Sequence, residues 1–74
     1  MPYIAIKAYP KDPEVKRRVA ARIRQVFLEE WGCPEKAISL SFEEVAPENW
    51  HSQVQLPEIE NRRDKMTILN GELR

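Results

Sequence analysis

Residues 12–32 read DPEVKRRVAARIRQVFLEEWG. Asp12 followed by Pro13 is a helix start. The aspartate accepts a hydrogen bond at the N-cap, and a proline loses nothing at the first helical position. Val15, Val19, Ile23, Val26, Phe27 and Trp31 then recur at spacings of three and four, which makes an apolar stripe. Gly32 supplies the stop and Pro34 follows shortly after it. The pattern predicts one long amphipathic helix over residues 13–31. Its charges run against the helix dipole, with Lys16, Arg17 and Arg18 near the start and Glu29 and Glu30 near the end. A solvated face explains that order most simply; pairing across a subunit contact is the other explanation.

The flanks alternate. YIAIKAY (residues 3–9) puts Ile4, Ile6 and Ala8 on one face, and a strand is expected over residues 2–8. AISLSFEEV (37–45) puts Ile38, Leu40 and Phe42 on one face and is the second expected strand. Strand, long helix and strand make a β-α-β unit with parallel strands and a right-handed crossover, so the class is α/β. Two strands and one helix are only half a core, and the open sheet edge calls for another copy. Further on, APENWHSQ (46–53) reads as a turn, with Pro47 a candidate helical start. LPEIENRRDKMTIL (56–69) suggests a second, weaker helix over about 57–68, begun at Pro57. Asn70-Gly71 then turns the chain.

The 74 residues make a single domain, 1–74. Domains below about 70–80 residues usually add a disulfide, a metal or a partner chain. Cys33 is the only cysteine and His51 the only histidine, so neither an internal disulfide nor a tetrahedral zinc site can be built. A homo-oligomer is the remaining remedy. Twelve basic residues balance twelve acidic ones, which gives no reason to expect nucleic acid or an anionic membrane as partner. Arg17, Arg18, Arg22 and Arg24 do not read as a nucleic-acid helix, because nearby acids cancel their charge. No apolar run is long enough to span a bilayer and no basic-then-apolar leader is present, so a cytoplasmic protein is expected.

The sequence offers no Ser/His/Asp motif, no glycine-rich phosphate loop and no metal-ligand cluster. Pro2 is the unusual residue. Methionine aminopeptidases trim Met before a small second residue, and removing Met1 would free a secondary amine at the tip of a strand. While Met1 remains, that nitrogen is a tertiary amide with no basic lone pair. A free α-amino group titrates near pH 8, and burial or a nearby cation lowers that value. An amine tuned toward neutrality can take a proton from carbon beside a carbonyl and return it elsewhere, which is keto–enol tautomerisation. The structural alternative is that Pro2 merely starts the strand.

The chain resembles the tautomerase superfamily of 4-oxalocrotonate tautomerase. The matching pieces are MP before a short alternating strand, PKDPEVK leading into a long helix, CPEKAISLSFEEV, and APENW. Beyond residue 50, HSQVQLPEIENRRDKM differs from the glycine-rich hairpin of the hexameric enzymes. It is more similar to the small dimeric subgroup, which turns over phenylpyruvate-type enols. The resemblance implies a tautomerase-like fold with a C-terminal helix and a four-stranded sheet completed by a homodimer, a hexamer being the larger option. It also implies Pro2 as the base, with no cofactor and no metal.

Lys11 falls where the hexameric enzymes carry a substrate-binding arginine, and lysine lacks the bidentate fork. Ser39 falls where they carry another arginine, so that cation is missing. Trp50 matches an aromatic residue that walls the pocket, and it would serve equally as an interface anchor. These changes favour a monocarboxylate with an apolar or aromatic tail over a dicarboxylate. His51 is not required by the family pattern, and Cys33 reads as a packing residue. A non-catalytic dimeric module binding a small acid or a protein stays open. So does a hydratase or dehalogenase of the same superfamily.

Overall fold

Two alternating segments separated by one long helix form the expected parallel pair in the computed structural model, which describes residues 1–74. β1 (Tyr3–Ala8) and β2 (Ser39–Glu44) pair in parallel, with Tyr3 opposite Ser39, Ile4 opposite Leu40, Ile6 opposite Phe42 and Ala8 opposite Glu44. α1 (Pro13–Trp31) connects them. The helix takes its expected bounds because every boundary signal is local. The Asp12 carboxylate accepts the Glu14 N–H at 2.7 Å, and Gly32 closes the far end at φ 62°, in the left-handed region that glycine enters freely.

β2 starts slightly later than the alternation suggests. Residues Glu35–Ala37 form a 3₁₀ turn that takes up the Ala37 and Ile38 N–H groups on Pro34 and Glu35 carbonyls. Ile4, Ile6, Ala8, Leu40 and Phe42 are half-buried on one sheet face, while Tyr3, Ala5, Lys7, Ser39, Ser41 and Glu43 are exposed on the other. The period-2 alternation is therefore a real two-faced sheet. α1 itself contains no fully buried residue.

The chain divides into two compact units, Met1–Glu44 and Val45–Arg74. In the second, α2 (Pro47–Trp50) is one α-helical turn that runs on as a π-helical segment, His51–Ile59, and a 3₁₀ segment, Glu60–Lys65. This corrects the helix expected over 57–68. Pro47, not Pro57, holds the first helical position, and Pro57 lies inside the π segment. A proline in a helix interior removes one hydrogen bond and crowds the carbonyl four residues back. The wider i→i+5 winding lets the chain pass this point without breaking. Arg62, at φ −132° and ψ 31°, then interrupts the helical run.

Asn70 (φ 52°) and Gly71 (φ 84°) form the turn of a short hairpin, β3 (Ile68–Leu69) against β4 (Glu72–Leu73). Two successive positive φ angles give the turn whose twist suits a two-residue hairpin. The buried hydrophobic side chains are Val45 and Val54, only 4% and 5% exposed. No helix is long and apolar enough to cross a membrane.

Candidate active site

Pro2 is buried at the head of β1. Its carbonyl accepts the Ser39 N–H at 3.1 Å, the first bond of the parallel ladder. A proline costs the sheet nothing here, because a strand's first residue is where a missing donor is tolerated. Pro2 and Ser39, two of the residues singled out in the sequence, are thus brought together by strand register. Beside them on the exposed sheet face the Tyr3 hydroxyl lies 3.3 Å from the Ser41 hydroxyl. Ser39 brings no charge to this end of the sheet.

Lys11 lies at the other end. It follows β1, whereas Pro2 precedes it, and six strand residues separate the two ends by about 20 Å. One chain therefore does not bring Lys11 to its own Pro2. Trp50 closes α2 in the second unit and is half-buried, and His51 beside it is exposed. Cys33 is half-buried, with its thiol directed at the Phe27 carbonyl at 3.7 Å, in keeping with a packing role.

One polar cluster of the first unit was not singled out in the sequence. Glu44, the last residue of β2, accepts both the Lys11 main-chain N–H and the Lys16 ammonium at 3.0 Å on one oxygen, Oε2. The Lys11 N–H, followed by the Lys16 ammonium, holds the Glu44 carboxyl below its ordinary range. Its partners are 33 and 28 positions away in sequence, so only the parallel register, with Glu44 opposite Ala8, could have pointed to it. In the second unit the Gln55 amide, at 2.6 Å, and Arg63, at 2.9 Å, lower Glu60 in the same way.

A shallow groove of about 370 Å³ runs along α1, lined by Arg17, Ala20, Ala21, Arg24, Ile38 and Leu40. None of Pro2, Lys11, Ser39 or Trp50 lines it, and Arg17 and Arg24 are its charged lining residues. No group of three or more His, Cys, Asp or Glu side chains is placed to hold a metal ion.

A buried proline at the head of the first strand is also where the comparison with known proteins begins. The family model described as "Tautomerase enzyme" matches residues 2–58. The chain belongs to the tautomerase family. It is accordingly an isomerase of the tautomerase kind, on the β-α-β fold of that family. Similar tautomerases include Tautomerase PptA of Pectobacterium atrosepticum, 31% identical over 73 residues and aligned over 96% of each chain. Tautomerase PptA of Enterobacter sp. strain 638 is 31% identical over 68 residues, covering 89% of this chain and 90% of its own. Tautomerase PptA of Escherichia coli K12 is 32% identical over 54 residues, 70% of each chain.

Proposed function

We propose that the protein interconverts keto and enol forms of a 2-oxo acid, a 2-hydroxyalkenoate or an arylpyruvate enol, with Pro2 as the proton carrier once Met1 has been removed. The observation that carries this reading is the family match starting at residue 2, with that proline buried at a strand head. A neutral prolyl nitrogen takes a proton from the carbon next to the carbonyl. Negative charge moves to the carbonyl oxygen, and the proton is returned there to give the enol. Ketonisation is the same path reversed. Burial favours the neutral amine over the ammonium, which is the form a base needs.

The substrate carboxylate is held by a lysine ammonium, Lys11, and by main-chain N–H groups. Because Pro2 precedes and Lys11 follows a strand about 20 Å long, the lysine would come from a second copy. The working unit is thus a homodimer or a larger assembly, and Trp50 supplies an apolar wall. A single lysine, without the bidentate fork of an arginine, suits one carboxylate with an apolar or aromatic tail. No cofactor enters this chemistry.

The test is ketonisation of phenylenolpyruvate by the wild type and by Pro2→Ala, each with Met1 removed. Turnover falls by about 10²–10⁴-fold in the variant, the usual contribution of a positioned proton carrier, while the oligomer stays intact. Equal turnover would remove Pro2 from the mechanism. No turnover of any related enol by the wild type would favour a binding module on the same fold.

A further inference from the structure

We propose that Glu44 is a positioning residue whose carboxylate latches the Lys11 loop in the conformation that presents the lysine to substrate. The proposal rests on the reading of Lys11 as the carboxylate-binding cation. Residues 9–12 join β1 to α1 and carry no regular structure of their own. Both ends of this segment are fixed, Ala8 by pairing against Glu44 and Asp12 by capping α1 through the Glu14 N–H. Between them the Lys11 N–H is tied to Glu44 Oε2 at 3.0 Å.

Two features make this a latch rather than a sink for the lysine. Glu44 engages Lys11 through its main chain, so the bond fixes the backbone without occupying the ammonium. The negative charge that would otherwise attract that ammonium is met by Lys16, 3.0 Å from the same oxygen. Lys16 stands on the first turn of α1, so strand end, loop and helix start meet at one carboxylate. A loop held this way binds an anion without first being ordered by it, which lowers the entropic cost of binding.

A double-mutant cycle on the full-length protein tests this, with phenylenolpyruvate as substrate. Lys11→Ala raises KM about tenfold through loss of a charge-assisted contact. Glu44→Ala raises KM nearly as much with kcat little changed, as expected for lost ground-state binding. In the Lys11→Ala background, Glu44→Ala adds less than about twofold. Glu44→Gln, which keeps an acceptor oxygen, restores much of the loss. An equal KM rise in both backgrounds would overturn the proposal, as would an unchanged KM in Glu44→Ala. If Lys11→Ala itself leaves KM unchanged, the Lys11 reading fails first and the latch falls with it.

Hydrogen exchange of the Lys11 amide supplies a readout that needs no activity. It accelerates at least about tenfold in Glu44→Ala and not in Glu43→Ala. Unchanged exchange in Glu44→Ala overturns the latch whatever the kinetics.

Discussion

Pro2 can serve structure and chemistry together because the two demands coincide at the first position of a strand. The sheet needs no N–H there, and the proposed chemistry needs an amine that is a chain end. The specificity argument lies in two other positions. In the proposed site, Lys11 and Ser39 would leave one cation at positions where the resemblance implies two arginines in the hexameric enzymes. Restoring both, as Lys11→Arg with Ser39→Arg, adds a charge-assisted contact and a bidentate fork. The double variant is expected to gain about tenfold or more in kcat/KM for a dicarboxylate enol relative to a monocarboxylate one. A competition assay between the two substrates measures that ratio, and an unchanged ratio would separate these positions from substrate choice.

Glu44 and Glu60 are each lowered by local hydrogen bonds, from Lys11 and Lys16 and from Gln55 and Arg63. A carboxylate whose folded pKa is depressed stabilises the protein above its unfolded pKa. That contribution is lost as pH falls through the folded value. Urea midpoints should therefore fall with acidification below about pH 4, and less so in Glu44→Gln. The effect is small because both groups are open to solvent.

The helix α1 shows which parts of a sequence speak for themselves. Its cap, proline and glycine stop are all local, and each appears in the structure as read, whereas of its apolar stripe Val15, Ile23 and Phe27 are half-buried and Val19, Val26 and Trp31 are exposed. Asp12→Ala removes the acceptor for the Glu14 N–H and should cost about 1 kcal/mol in denaturant unfolding. No measurable loss would mean that the cap is replaced by water at no cost. The strands were equally legible, because alternation with period two is a burial pattern. The region after residue 46 was not. Two prolines competed as helix starts, and nothing local says that a π-wound segment will carry Pro57 inside it. The hairpin strands are two residues each, too short for an alternation to register, and Asn70-Gly71 was the one available signal for them. In the candidate site, Pro2 was singled out by its position together with the family resemblance, and its place at the head of β1 followed from the alternation after it. The tie between Glu44 and Lys11 was not, because it exists only once β1 and β2 lie in register.

The half-covered layer of α1 on β1 and β2 bears on assembly. α1 keeps no fully buried residue, and Val26 and Trp31 remain 54% and 62% exposed. Val15, Val19 and Val26 share one helical face with Arg18, Arg22 and Glu29. In the proposed assembly, two such faces in antiparallel contact would set basic N-terminal halves against acidic C-terminal halves, the alternative to a solvated face for charges that oppose the helix dipole. On this account Val26→Glu, alone or with Val19→Glu, shifts the protein to a smaller species in sedimentation and lowers its unfolding midpoint. An unchanged sedimentation coefficient would place the interface elsewhere.

The proposed chemistry needs both the assembly and a free proline, and the proline is the more direct test. Protein made without a tag is weighed intact and then assayed for phenylenolpyruvate ketonisation. The same protein with one extra residue left ahead of Pro2 is assayed beside it. The account predicts a mass short of one methionine, turnover above buffer, and loss of that turnover in the extended form. A trimmed chain that is inactive on this enol and its relatives, or an extended chain as active as the trimmed one, would contradict it.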